Sequence, residues 1–358
     1  MATMTTAYTT LELLTPHGPV FRQVSTAPPR PPTAEEMPLI DLSSIDGELE
    51  ARRALATKIK AAAETTGFFY INNHGIPDRL IEDALTQVQR FFEQPLSEKE
   101  KVSFRYTGQS NGYHGVGASQ INKTESRDKK ETFSMRYDPR HDPAGGNSLS
   151  ADDIAKKSDD FIWDKTNHIE GYRSVLVEFW QRRLQLARKL IRLFALALDL
   201  PEDYFDAIVT HPGADAVHIH YPGLIDASKA ADVDVGIGSH TDIQCITLLW
   251  QDNSGGLQVL SLGGEWLDAK PIEGTFVVNI GDFMQRLSNN KFRSTVHRVY
   301  NRRTESRYAM PFFLGFNPEA ICEVVPTCID EDHPALYEPI SCGKWHRDRL
   351  TLAQRGSL

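Results

Sequence analysis

The apolar positions change their spacing along the chain, and the changes divide it into regions. Residues 1–36 carry no sustained period. The Pro-rich stretch Thr26-Ala-Pro-Pro-Arg-Pro-Pro-Thr33 favours extended backbone and cannot join a central strand, so residues 1–36 are expected to form a flexible tail. A short strand is predicted at residues 38–42. Leu49, Ala56, Ile59 and Ala63 then recur at helical spacing. A β-type run follows over residues 67–75, and Gly75-Ile-Pro77 closes it. Leu80, Ile81, Ala84, Leu85, Val88, Phe91 and Phe92 lie on one stripe of a second amphipathic helix.

Residues 101–170 are polar and Gly-rich, with aromatic islands at Gly112-Tyr-His-Gly115 and Glu131-Thr-Phe-Ser-Met-Arg-Tyr137. A long helix is predicted from about residue 171 to 200, with Leu176, Phe179, Trp180, Leu184, Ala187, Leu190, Ile191 and Phe194 at three- and four-residue steps. Pro201 ends it. From residue 214 the pattern becomes short β-type runs at 217–221, 245–250, 256–260, 265–269, 275–280, 295–300 and 307–313. Strands this short and closely spaced suggest a sandwich, barrel or jelly roll. A short C-terminal helix is predicted near 343–354. The chain thus reads as a tail (1–36), an N-terminal region (37–150), a supporting-helix region (151–212), a β core (213–320) and a C-terminal segment (321–358), in an α+β, mainly β architecture.

Composition narrows the function classes. The chain has 358 residues, 40% hydrophobic, with a formal net charge of −9. That balance argues against nucleic acid or a membrane surface as partner, since phosphate binding needs local positive charge and the dense basic cluster is limited to Arg302, Arg303 and Arg307. The four cysteines are too scattered for a disulfide scaffold or a zinc ribbon, so a reduced, cytoplasmic setting is expected. No charge-free window reaches transmembrane length, and residues 1–14 lack the basic-then-apolar pattern of a secretory signal.

The stretch Gly238-Ser-His-Thr-Asp242 carries the candidate chemistry. His240 and Asp242 are two apart, and at the mouth of a strand side chains i and i+2 share a face. His297 lies 55 residues beyond Asp242, far enough for intervening strands to return it beside the pair. Two imidazoles and a carboxylate form the facial triad of non-haem Fe(II) oxygenases, although zinc accepts the same ligands. Arg307, ten residues beyond His297, could grip a carboxylate with two parallel hydrogen bonds, and Tyr221 could add a phenolic donor. A diacid such as 2-oxoglutarate suits that pair.

Together with Gly67-Phe-Phe-Tyr-Ile-Asn-Asn-His-Gly75, His220-Tyr-Pro222, Asn279-Ile-Gly-Asp-Phe-Met284, Ser288-Asn-Asn290 and Arg307-Tyr-Ala-Met-Pro-Phe-Phe313, these residues make the chain resemble the isopenicillin N synthase-like branch of the Fe(II)/2-oxoglutarate-dependent dioxygenases, over roughly residues 37–350. The resemblance implies a distorted double-stranded β-helix (jelly roll) with an N-terminal helical and β region packed on it. It implies that His240, Asp242 and His297 bind Fe(II), and that Arg307 and Tyr221 bind the distal carboxylate of 2-oxoglutarate. The implied activity is O2-dependent oxidation of an unactivated C–H bond of a small molecule in natural-product biosynthesis, with release of succinate and CO2.

Tyr113, His114, Phe133 and Arg136 lie in segments that line the substrate pocket in this family. His74 is expected to be scaffold, and His218 and His220 to be packing or supporting residues. One departure stands out: the family usually has Arg-x-Ser where this chain has Arg307-Tyr-Ala309, which removes one hydrogen bond to the co-substrate. A 2-oxoglutarate-independent Fe(II) oxidase and a non-catalytic ligand-binding protein on the same fold are the alternative readings.

Overall fold

The computed structural model describes residues 7–15, 18–107, 111–144, 149–226 and 235–354. Parts of the expected tail (1–6, 16–17), of the β core (227–234) and of the C-terminal segment (355–358) lie outside the described residues.

The principal strands are β1 (Tyr8–Thr15), β2 (Gly18–Ser25), β3 (Leu39–Asp41), β4 (Phe68–Asn72), β5 (Gly112–His114), β6 (Glu131–Met135), β7 (Ala214–Tyr221), β8 (Ile237–His240), β9 (Ile246–Gln251), β10 (Leu257–Leu260), β11 (Trp266–Asp268), β12 (Phe276–Ile280), β13 (His297–Val299) and β14 (Arg307–Leu314). The principal helices are α1 (Leu49–Thr65), α2 (Asp78–Phe92), α3 (Tyr172–Ala197), α4 (Asp282–Leu287) and α5 (Cys342–Gln354). A major sheet runs β3-β4-β12-β9-β14-β7-β6-β5 and a minor sheet β11-β10-β13-β8. These are the two sheets of a jelly roll.

Strand alternation builds two cores. Phe68, Tyr70, Ile219, Tyr221, Val277 and Ala309 point inward and meet Leu257, Val259, Leu267 and Val299 of the minor sheet. Their neighbours Phe69, Ile71, Ala214, Ala216, Val278, Met310 and Phe312 point outward and are covered by the helices. In α1 the buried positions are Leu55, Ala56, Ile59, Ala62 and Ala63, one stripe of a 3.6-residue period. Gly67 closes this helix with φ +69°, and a Cβ there would stand 1.9 Å from the Arg293 carbonyl oxygen, so both conformation and space require glycine. Helix α3 buries fourteen of its 26 residues behind the major sheet.

Two segments differ from the sequence expectation. Residues 8–15 and 18–25, read above as part of a flexible tail, form the antiparallel strand pair β1–β2. Leu11 and Val24 pack on Leu260, Trp266 and Val296 of the β core, which gives the pair an apolar footing. The Pro-rich stretch stays outside both large sheets, except for one bridge from Arg30 to Leu267. The aromatic islands at 112–115 and 131–137 are strands β5 and β6, which extend the major sheet from β7. No helix among the described residues is long and apolar enough to cross a membrane.

Candidate active site

The minor sheet delivers two imidazoles to one point. In the β13–β8 register His297 lies directly opposite His240, and the ring centroids are 4.3 Å apart. Asp242 arrives differently from the simple alternation argument: β8 ends at His240, and the following turn carries Asp242 round. Its Oδ1 lies 3.7 Å from His240 Nε2 and 3.7 Å from His297 Nε2. The three ligand atoms lie within 4.8 Å of one another, as a shared metal ion requires.

Each ligand is oriented by a second contact. His240 Nδ1 hydrogen-bonds the Gly238 carbonyl at 2.7 Å, and His297 Nδ1 the Thr295 carbonyl at 3.1 Å. Both bonds hold the proton on Nδ1 and leave the Nε2 lone pair for a metal. Asp242 Oδ2 accepts from Thr247 Oγ1 at 2.5 Å and Asn279 Nδ2 at 2.7 Å, which frees Oδ1. Burial, and next the adjacent His297 ring, push His240 down to about 4, so it is a neutral donor at pH 7. Burial alone would raise the Asp242 pKa, but the two imidazoles and the bonds from Asn279 and Thr247 outweigh it and hold the carboxyl below its usual range. Sequence reasoning assigned no role to Thr247 or Asn279. Asn279 opens one of the motifs that carry the family resemblance, and both residues stand out as polar positions inside the apolar runs of β9 and β12.

Arg307 and Tyr221 are brought together as expected. They are direct cross-strand partners on the inner face of the major sheet, with the guanidinium carbon 4.8 Å from the ring centroid. Arg307 is 1% exposed. Its Nε donates to the Gly255 carbonyl and its Nη2 to Gln251 Oε1 at 2.9 Å, while buried Nη1 has no protein partner. A buried guanidinium nitrogen with an open donor is what a carboxylate guest would complete. Burial pushes the Tyr221 hydroxyl up to about 12, so it stays protonated and able to donate. Ala309, in place of the usual Ser, lies on the same face opposite Gln251.

A cavity of about 1620 Å³ opens beside His240 and Asp242. Three of the four residues expected at a substrate pocket border it: Tyr113, His114 and Arg136. Tyr113 is tied down, its hydroxyl 2.6 Å from Glu131 Oε2, and His114 stacks on Phe104 at 4.0 Å. Phe133 does not belong there. The β6–β7 register turns it to the outer face, where it is fully buried against Phe91, Trp163, Tyr172 and His218. The cavity side of β6 is formed by Thr132 and Ser134, opposed on β7 by Ile219 and Val217, and Arg136, just beyond β6, and Asp215 also border the cavity. His218 and His220 both sit on the outer side as packing or supporting residues, and His220 bonds Glu131 Oε1 at 2.8 Å. His74 is scaffold, its Nδ1 accepting from the Ile76 amide.

Comparison with known proteins agrees with this geometry. Residues 37–155 match the family described as "non-haem dioxygenase in morphine synthesis N-terminal", and residues 214–316 match the "2OG-Fe(II) oxygenase superfamily". The chain is 41% identical over 354 residues to the 2-oxoglutarate-Fe(II) type oxidoreductase ppzC of Metarhizium rileyi, covering 96% of this chain and 94% of the relative. The chain belongs to the 2OG-Fe(II) oxygenase superfamily. It is also 32% identical to the 2-oxoglutarate-Fe(II) type oxidoreductase hxnY of Emericella nidulans, over 87% of each chain. Among solved structures, a full-length Neurospora crassa protein in complex with alpha-KG and thymine superposes with a TM-score of 0.74 at 29% identity, covering 90% of this chain and 96% of that one. This oxygenase is therefore an oxidoreductase that works with Fe(II), 2-oxoglutarate and O2.

Proposed function

We propose that this oxygenase oxidises an unactivated C–H bond of a small natural-product-like molecule, with Fe(II) held by His240, Asp242 and His297. The observation that carries the assignment is the convergence of two Nε2 atoms and one carboxylate oxygen at the edge of a large cavity. Arg307, through its open Nη1, and Tyr221, through its protonated hydroxyl, would bind the distal carboxylate of 2-oxoglutarate. When bound, Fe(II) supplies O2 activation coupled to decarboxylation of 2-oxoglutarate, which yields succinate and CO2.

The chain's own groups do the rest. The Nδ1–carbonyl bonds hold His240 and His297 in the donor tautomer. Thr247 and Asn279 fix the Asp242 carboxylate. Val217, Ile219 and Phe313 give the cavity an apolar wall that keeps water from a reactive centre. The cavity exceeds the ~300–1,000 Å³ usual for a single small ligand, which leaves room for a sizeable substrate, while Arg307 and Tyr221 lie outside its lining.

Stoichiometry tests the reading. With the substrate, O2 uptake, 2-oxoglutarate loss and succinate formation should stay in a one-to-one-to-one ratio, and His297→Ala should abolish all three. Product formation without 2-oxoglutarate and without succinate would instead establish a co-substrate-independent Fe(II) oxidase.

A further inference from the structure

Strand β8, which carries His240, is weakly held by its own sheet. It is the edge strand of the minor sheet and pairs with β13 at only two positions, His297↔His240 and Val299↔Ile237, with an irregularity between them. Its other edge would present unpaired backbone groups. Side chains of the loop before β6 close that edge instead. Asp128 Oδ1 accepts from the Gly238 amide at 3.2 Å, and Glu125 Oε2 accepts from the Ser239 amide at 2.5 Å. Glu125 Oε1 also accepts from Ser239 Oγ at 2.9 Å. Asn122 Nδ2 donates to the Ser239 carbonyl at 3.3 Å and to the Glu12 carbonyl of β1 at 3.0 Å. A Cβ at Gly238 would lie 2.8 Å from Glu125 Oε2, so glycine lets the carboxylate reach the backbone.

One peptide plane in this arrangement has a special position. The Gly238–Ser239 peptide gives its N–H to Glu125 and its carbonyl oxygen to His240 Nδ1, 2.7 Å away. A carboxylate is thereby linked to the imidazole through a single peptide group. A hydrogen bond from the N–H to an anion polarises the amide and makes its carbonyl a stronger acceptor. A stronger acceptor for Nδ1–H raises the basicity of Nε2 and fixes the ring orientation, as direct carboxylate partners do for metal-binding histidines.

We propose that Glu125 is a positioning residue for the metal centre, acting on His240 through the Gly238–Ser239 peptide, with Asn122 and Asp128 holding the same strand edge. The proposal rests on the reading of His240 as a metal ligand. Nothing in the sequence pattern marks Glu125, because its partner is a backbone amide 114 residues away.

The test is anaerobic titration of the metal-free full-length protein with Co(II), followed by its visible d–d absorption. Glu125→Ala should weaken Co(II) binding about 10–100-fold and shift the absorption bands. Glu125→Gln keeps an acceptor of the same shape without the charge, and should fall between Ala and the parent, at least about threefold weaker than the parent. Glu125→Gln decides the matter if the Ala variant does not fold. Affinity within twofold of the parent with unshifted bands in Glu125→Gln would overturn the proposal while leaving the ligand set intact. Failure of the parent itself to bind Co(II) would overturn the ligand set and the proposal with it.

Discussion

Asp242 divides its two oxygens between scaffold and chemistry, and that division depends on Asn279 and Thr247. Removing the Asn279 amide leaves Oδ2 short of one of its two donors and lets the carboxylate rotate. Asn279→Ala is expected to weaken Fe(II) affinity about tenfold, within the range for outer partners of metal ligands. Equilibrium dialysis checks it, and an unchanged affinity would contradict it. On the proposed role of Arg307, Arg307→Ala would remove a charged hydrogen bond to the co-substrate worth about 1.5–3 kcal/mol, so the 2-oxoglutarate KM should rise about 10–150-fold. Ala309→Ser, which restores the usual hydroxyl, should lower that KM, as steady-state kinetics with varied 2-oxoglutarate will read.

His218 supplies a pH prediction at the same scale. It is fully buried, and burial and then the positive charge of Arg183 push it down to about 3 from an ordinary value near 6.5. The folded state therefore takes up fewer protons than the unfolded chain between these values. The contribution of neutral His218 is present above pH 6.5 and is lost as the pH falls below it, by about 2 kcal/mol at pH 5. His218→Phe should lose less stability between pH 7 and pH 5 than the parent in urea titrations. Equal losses would contradict the assignment. The convergence of His240, Asp242 and His297 and the pairing of Arg307 with Tyr221 were legible in the sequence, because their order along short β-type runs brings them to shared faces. Phe133 was misplaced because its side of the sheet depends on the β6–β7 register, which a single sequence does not contain.

At the scale of elements, a buried polar cluster joins the segment after α2 to the major sheet. Glu131 on β6 accepts from Lys99 Nζ at 2.7 Å and from the Tyr113 hydroxyl at 2.6 Å, and pairs with His220 at 2.8 Å. Burial opposes its ionisation, but these three partners outweigh it and hold the carboxyl below its usual range. Glu131→Gln would leave the Lys99 ammonium, 10% exposed, without its counter-charge. We expect a loss of about 3–5 kcal/mol in denaturant unfolding, since breaking a buried pair strands a charge. A loss under about 1 kcal/mol would contradict it.

The long helices α1, α2 and α3 were legible because eight or more residues of sustained period identify them, and the central strands β4, β9 and β12, of five or six residues, because their apolar runs are bounded by turn residues. Strand β5 has three residues, too few for alternation to show. The strand pair β1–β2 was missed because its partner surface, Leu260, Trp266 and Val296, comes from the far side of the chain.

The whole molecule is a layered arrangement in which helices α1–α3 back the major sheet and the inter-sheet space holds Arg307, Tyr221 and the metal triad at its edge. The order of helical and β-type runs pointed to helices followed by a β half, and the jelly roll with the helical region packed on it was what the family resemblance implied. The closing of β8 by a loop followed from neither, because side-chain-to-backbone bonds leave no period. The central claim is that this space takes Fe(II) and 2-oxoglutarate together, and anaerobic titration of the protein with both tests it most directly. A weak visible charge-transfer band should grow with 2-oxoglutarate only when Fe(II) is present, saturate at one equivalent, and need far more 2-oxoglutarate in Arg307→Ala. No band in the parent, or an identical titration in Arg307→Ala, would contradict the account.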